Sequence, residues 1–264
     1  MPEVAEVAIV AEQIDQALRG EVLNEVVVSD VRLDAFALAS AALAGAKLLG
    51  VRRYGKLIGL DFANCTIEIH LRMTGTLTFI PTDDARAELR FADRILSFRD
   101  PRRFGTLKVV APEAFADGLA PDILTGPVPV ATQVRSVLPV KAVLLDQRKL
   151  VSGLGNWMCD ELLFSQRLHP ATPASALTPR QWEELLSVAH ELAKRAFAAG
   201  GVSMRNYEHP DGSKGHMQEQ LVCYGHAGLP CGCCGTTLAH TRVAGRGTTF
   251  CPACQASTTE RSNG

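Results

Sequence analysis

The chain has 264 residues, 47% of them hydrophobic, and a formal net charge of -1 with histidines neutral. Such a chain can bury a real core and is long enough for two lobes. No stretch reaches on the order of eighteen uninterrupted apolar residues, and the start lacks a basic n-region and an apolar h-region. Neither a membrane-spanning helix nor a secretory leader is expected, and a cytoplasmic protein is expected.

The near-neutral total hides an uneven distribution. Between Lys47 and Lys108 there are twelve Lys/Arg against seven Asp/Glu, a local excess of five positive charges. Polyanion binding depends on the local field, so the overall charge does not exclude it.

In chain order, residues 3–19 place Val7, Val10, Ile14 and Leu18 at helical spacing, ended by Gly20, with Glu3 and Glu6 in the first turn. Residues 22–110 then carry short apolar segments at 22–28, 56–62, 66–71, 76–80, 86–91, 94–99 and 106–110, several bounded by Gly, Asp or Asn. They predict an antiparallel assembly of two sheets. Residues 111–137, with prolines, glycines and no sustained period, predict a linker between lobes. Val140–Gln147 and Asn156–Gln166 have helical patterns around the glycine-broken turn Val151–Gly155, a helix-turn-helix arrangement shared by many domains that bind no DNA. A further helix starts at Thr178 or Pro179 and ends near Gly200, and 201–215 reads as a mobile loop.

The last segment holds the strongest local signal. Cys231, Cys234, Cys251 and Cys254 form a C-x2-C pair, sixteen intervening residues and a second C-x2-C pair. Each pair can set two thiolates on one tight turn while the intervening residues make a hairpin, so four sulfurs converge on one Zn2+. Four thiolates leave no open position for substrate, which makes the ion structural. Cys233 could compete with Cys234, though only Cys231 with Cys234 makes both pairs C-x2-C. Cys65, Cys159 and Cys223 are isolated and read as core or near-surface thiols. Residues 257–264 predict a disordered tail.

At the other end, Pro2 would gain a free secondary amine on removal of Met1. An α-amine titrates near 8, so a usable fraction is unprotonated near neutrality. It can attack an electrophilic sugar carbon and form an iminium. Glu3 and Glu6 lie beside it and could shuttle protons. The plainer reading is that Pro2 starts the helix and the two carboxylates serve its dipole.

Pro2-Glu3-Val-Ala-Glu6-Val resembles the N-terminal signature of the formamidopyrimidine-DNA glycosylase and endonuclease VIII family. Further blocks are similar to that family in the same order: Arg53-Tyr-Gly-Lys56, His70-Leu-Arg-Met73-Thr-Gly75, Asp100-Pro-Arg102-Arg103-Phe104-Gly105, Leu145-Asp-Gln-Arg148 with Gly153-Leu-Gly-Asn156, and Asp211-Gly212-Ser-Lys214-Gly215. The cysteine array with Arg246 completes a resemblance that spans nearly the whole chain. It implies an α+β fold: an N-terminal helix plus a two-layer antiparallel β-sandwich, then a helical lobe with a helix-two-turn-helix and a C-terminal zinc finger. The expected layout is a catalytic domain over 1–110, a linker over 111–137, a helix-two-turn-helix domain over 138–220 with a lesion loop near 203–216, and a zinc-finger hairpin over 221–256.

The same resemblance implies roles. Pro2 matches the nucleophile that attacks C1′ of the damaged nucleotide, Glu3 the acid/base, Glu6 a helper carboxylate, and Lys56 a lysine that contacts phosphate beside the lesion and supports catalysis. Met73, Arg102 and Phe104 match the residues that fill the space left by an everted base, whose unstacking costs a few kcal/mol. Asn156 and Arg246 match a pair that pinches the backbone phosphate, His70 is assigned to DNA binding, and Lys214 belongs to the loop over the damaged base. The implied activity is excision of oxidised bases, formamidopyrimidines and 8-oxoguanine, followed by β,δ-elimination, on damaged double-stranded DNA by a monomer with one structural Zn2+. Departures are visible: Val4-Ala5 stand where Leu-Pro is common, Ser213 precedes the lysine, and His216-Met217 replace aromatic residues. Three alternatives stay open: a preference for oxidised pyrimidines, a non-catalytic zinc protein that binds damaged DNA, and a soluble zinc protein that binds no nucleic acid.

Overall fold

The computed structural model describes residues 2–126, 134–203 and 207–256. The predicted tail over 257–264, part of the predicted linker and three positions of the predicted lesion loop lie outside them. The chain divides into two compact units, Met1–Asp117 with Ala196–Gln218, and Gly118–Arg195 with Glu219–Gly264.

The first unit opens with α1 (Val4–Leu18), whose Val7, Val10, Ile14 and Leu18 are buried as their spacing predicts. The chain continues through β1 (Val22–Leu23), β2 (Glu25–Val28), α2 (Asp34–Ser40) and β3 (Ala46–Lys47). Next come β4 (Gly50–Tyr54), β5 (Leu57–Asp61), β6 (Thr66–His70), β7 (Thr76–Thr78), β8 (Ala85–Arg90), β9 (Ile95–Arg99) and β10 (Thr106–Val110). Two antiparallel four-stranded sheets result, in the orders β10-β6-β5-β4 and β2-β8-β9-β7. Ile58, Leu60, Ile67 and Ile69 of the first sheet and Leu77, Leu89, Leu96 and Phe98 of the second share one core with the buried face of α1. Each such side chain contributes about 1.5–3 kcal/mol by leaving water. That fixes register, since a one-residue slip of β6 would bury Glu68 and His70 in place of Ile67 and Ile69.

Three local expectations change. Residues 22–28 are two strands, not one: Val22 pairs with Lys47, while Glu25 pairs with Arg90, so the chain changes partner at Asn24. Strand β4 went unpredicted because Arg52 and Arg53 occupy its middle. It is an edge strand, where charge is tolerated, and Arg52 pairs with Asp61 at 3.0 Å and stacks on Phe115 at 4.5 Å. Helix α2 buries only Phe36 and Ser40, too little to make a periodic stripe.

The second unit contains α3 (Val140–Leu145), α4 (Asn156–Ser165) and most of α5 (Pro179–Ala198). Val140, Val143, Leu144, Met158, Leu162, Trp182, Leu186 and Ala189 are buried. Helix α3 stops two residues before Gln147, whose side chain instead bridges the carbonyls of Leu145 and Leu154 and accepts the Gly153 N–H, bracing the turn between the helices. The unit ends in a hairpin of β11 (Ala239–Val243) and β12 (Arg246–Phe250). Its two turn residues, Ala244 and Gly245, both have positive φ, 51° and 73°, as a type I′ turn needs. The α+β class is as expected. Among the described residues no helix is long and apolar enough to cross a membrane.

Candidate active site and nucleic-acid interface

Pro2 and Glu3 are both buried just ahead of α1. Glu3 caps the helix, and the Glu6 carboxylate returns to accept the Glu3 N–H at 2.6 Å, forming a capping box. Its other oxygen accepts the Val202 N–H at 2.6 Å. Glu6 is 1% exposed, and burial raises its pKa above the ordinary carboxylate value against the opposing pull of these N–H donors. A carboxyl so placed can hold or release a proton nearer neutrality than a surface glutamate, which is what proton shuttling beside an amine requires.

Tyr207 and His209 were not singled out from sequence. The Tyr207 hydroxyl and His209 Nδ1 are buried without a hydrogen-bond partner among the described residues, and the two rings meet edge-on at 6.0 Å. Burial, with the Glu6 carboxylate adding to it, pushes the Tyr207 phenol well up. The only sequence signal was two aromatic rings in a segment otherwise rich in Asn, Pro, Asp and Gly.

Several predicted site residues gather at one end of the first sheet. Leu57 and Thr106 both pair with His70, so the Gly55–Lys56 turn, the segment after His70 and the segment before Thr106 share that end. Lys56 is buried in the two-residue turn, which the Arg53 guanidinium braces by donating to the Gly55 carbonyl at 3.1 Å. His70 accepts the Arg72 N–H at Nδ1, 3.0 Å, and burial, then the Arg72 and Lys56 cations, lower its pKa to about 3. It is neutral at physiological pH, with two cations as neighbours, an environment suited to a phosphate.

Met73, Arg102 and Phe104 are brought together. Arg102 donates to the Met73 sulfur at 3.8 Å and lies 4.8 Å from the Phe104 ring centroid, and Met73 and Phe104 are 38% and 49% exposed. Large exposed apolar side chains next to an arginine suit insertion into a base stack. Lys214 is exposed and pairs with Glu208 at 3.2 Å. Its segment is hydrogen-bonded within itself and to the sandwich: Asp211 accepts from Ser213 and from Gln13 of α1, and Phe79 donates to the Pro210 carbonyl.

In the second unit, Asn156 begins α4 and donates from Nδ2 to the Gly247 carbonyl at 2.9 Å, next to Arg246 at the exposed start of β12. Fully buried Lys141 donates to Asp160 at 2.5 Å, to Thr248 Oγ1 at 2.8 Å and to the same Gly247 carbonyl at 3.2 Å. The hairpin is thereby tied to α3 and α4. The Glu161 carboxylate adds a second tie, accepting the Cys223 and Tyr224 N–H groups at 2.9 and 2.7 Å.

The sulfurs of Cys231, Cys234, Cys251 and Cys254 all lie within 4.8 Å of one another, with Cys231 to Cys254 at 3.9 Å and Cys234 to Cys251 at 3.5 Å. Tetrahedral Zn–S bonds of about 2.3 Å would separate sulfurs by about 3.8 Å, so the donor set fits one structural zinc ion. The cluster includes Cys234 and not Cys233.

Comparison with known proteins finds three family models matching in series along the chain. The formamidopyrimidine-DNA glycosylase N-terminal domain matches residues 1–107, the formamidopyrimidine-DNA glycosylase H2TH domain residues 111–208, and a zinc finger found in FPG and IleRS residues 228–256. In series, these matches define a zinc-containing DNA glycosylase. A formamidopyrimidine-DNA glycosylase of Thermus thermophilus is 38% identical over 271 residues, covering 97% of this chain and 98% of the relative. The crystal structure of the MutM (FPG) protein of Thermus thermophilus superposes with TM-score 0.88 at 35% identity, covering 97% and 99% of the two chains. A Lactococcus lactis FPG mutant in complex with DNA containing Fapy-dG gives TM-score 0.89 at 28% identity over 97% and 100%. The chain belongs to the formamidopyrimidine-DNA glycosylase family, and it is a base-excision-repair DNA glycosylase of that type.

Proposed function

We propose that the chain is a bifunctional glycosylase and AP lyase acting on formamidopyrimidines and 8-oxoguanine in damaged double-stranded DNA. After loss of Met1, the Pro2 amine attacks C1′, the base leaves, and the resulting iminium acidifies the 2′ proton for successive β- and δ-eliminations. Glu3 donates and accepts protons at the opened sugar, and Glu6 assists from its capped position. Lys56, His70, Asn156 and Arg246 contact phosphate, which positions the duplex without reading sequence. Met73, Arg102 and Phe104 fill the space of the everted base, and the Lys214 segment covers that base. The working form is a cytoplasmic monomer associated with DNA, with the catalytic domain in 1–110, the helix-two-turn-helix in 138–220 and the zinc hairpin in 221–256.

The observation that carries this reading is the start of α1, where buried Glu3 and Glu6 stand beside Pro2 and Glu6 is held by two backbone N–H groups with its pKa raised. Borohydride trapping tests it. Protein incubated with duplex carrying an oxidised purine or an abasic site is expected to form a covalent adduct, lost in Pro2→Gly, while Glu3→Gln loses turnover. A lesion panel that includes oxidised pyrimidines reads the preference. Absence of an adduct with every lesion, with Met1 shown to be removed, refutes the catalytic reading and leaves a damage-binding protein.

A further inference from the structure

We propose that Asp100, itself held by Arg86, is a positioning residue that locks the turn bearing Met73 to the turn bearing Arg102 and Phe104, so that the three side chains enter DNA as one preassembled wedge. This rests on the wedge role proposed above for those three residues.

Asp100 is 2% exposed and its two oxygens serve different turns. Oδ1 accepts the hydroxyl of Thr74, the residue after Met73. Oδ2 accepts the N–H of Gly105, the residue after Phe104, at 2.6 Å. One carboxylate therefore grips the chain directly behind both insertion points. Its own backbone carbonyl accepts the Arg103 N–H at 3.0 Å. Arg86, 6% exposed near the start of β8, where the pairing with β9 skips a residue, stands 3.4 Å from Oδ2 and from the Gly105 carbonyl and pairs with buried Asp30 at 2.6 Å. Asp30 also receives Arg103 at 3.6 Å, so two acids meet two guanidinium groups.

The backbone shows why both turns need holding. Arg72 and Arg103 take φ of 56° and 55°, a left-handed conformation that L side chains adopt only when the surroundings impose it. Neither Gly75 nor Gly105 has room for a Cβ, which would lie 2.3 Å from the Leu71 carbonyl oxygen or 2.7 Å from the Phe98 ring. Of the wedge contacts, Arg102 to Phe104 lies within one turn, whereas Arg102 to Met73 spans the two and depends on this alignment. A buried ion network is a costly way to fill core space. Here it fixes one relative position of two exposed turns, so their ordering is complete before DNA arrives.

The test uses the full chain with Asp100→Asn and with Thr74→Val, which loses one grip and leaves every charge in place. Base excision from duplex is measured in single turnover, beside strand cleavage at an abasic site in single-stranded DNA, which needs neither eversion nor void filling. Wedge insertion is read separately as the fluorescence rise of 2-aminopurine placed next to a tetrahydrofuran site in duplex. Displacing the wedge by an ångström is expected to cost Asp100→Asn about 100-fold in duplex excision. The 2-aminopurine rise should be lost as well, with single-strand cleavage within about twofold of wild type, well inside that loss. Thr74→Val should move the same two readouts in the same direction by a smaller factor, and it decides the matter alone if Asp100→Asn does not fold. Unchanged excision and fluorescence in Thr74→Val, or an equal loss on both substrates, overturns the proposal. The fluorescence readout needs binding only, so it still decides on the clamp if trapping refutes catalysis.

Discussion

Removing the Lys141 ammonium tests how the zinc hairpin is held. Lys141 and Asp160 are 0% and 1% exposed at the side chain, and the 2.5 Å bond between them is supplemented by Lys141 donations to Thr248 and Gly247 and by the Thr249 N–H to the second Asp160 oxygen at 3.0 Å. Burial raises the Asp160 pKa even with the ammonium in place. In Lys141→Met the carboxylate keeps one backbone donor and no countercharge, and breaking such a buried pair costs about 3–5 kcal/mol. Asp160→Asn strands the ammonium at a cost on the same scale, whereas the double variant has no buried charge left. The double loss should therefore fall short of the sum of the single losses by about 1–3 kcal/mol. Urea unfolding followed by tryptophan fluorescence suits the question, because both tryptophans, Trp157 and Trp182, lie in the second unit. Single variants within about 0.5 kcal/mol of wild type, the scale of a surface change, or a strictly additive double variant would refute the reasoning.

Acid should act through His70, whose folded pKa of about 3 lies below its ordinary value of 6.5. Between those values the unfolded chain binds more protons, so this contribution is complete above 6.5 and is lost as pH falls toward 3. Near pH 4.5 the loss is at most about 2.7 kcal/mol; His70→Asn should flatten that part of the pH dependence of the urea midpoint, and an unchanged slope would count against it. Metal analysis should find one zinc per chain, retained in Cys233→Ser and lost in Cys234→Ser. Chelation should weaken DNA binding and lower the salt slope by about 1 as the Arg246 contact is lost, while the sandwich, which holds none of the four cysteines, keeps its β-sheet circular dichroism.

What could be read from sequence was what local spacing encodes. Helix α1 shows itself because Val7, Val10, Ile14 and Leu18 all face the core, and the zinc site because each ligand pair is closed by one turn. Arg52 and Arg53 hid β4, since an edge strand owes its place to backbone pairing rather than to an apolar stripe. Arg86 looked like one more arginine in a basic lobe, yet it is buried between acids 56 and 14 residues away in sequence. The same holds for Glu161, whose role depends on N–H groups more than sixty residues later. Charged residues are read as surface by default, and only the tertiary partner reverses that reading.

The antiparallel register explains why motifs scattered over fifty residues form one surface. His70 faces Leu57 on one side and Thr106 on the other, so three connections, at Gly55–Lys56, after His70 and before Thr106, emerge at the same end of the sheet. The buried alternation of Ile67 and Ile69 holds that register, and the Asp100 carboxylate then aligns two of the three connections. A residue inserted within β6 would exchange its two faces and carry His70 and Met73 out of line with Lys56 and Gly105, whereas one inserted at the far end, between Phe62 and Cys65, would leave the alignment intact. Strand interiors of this unit are thus constrained through the position of its turns, and the basic side chains on those turns share one site because the apolar side chains between them share one core.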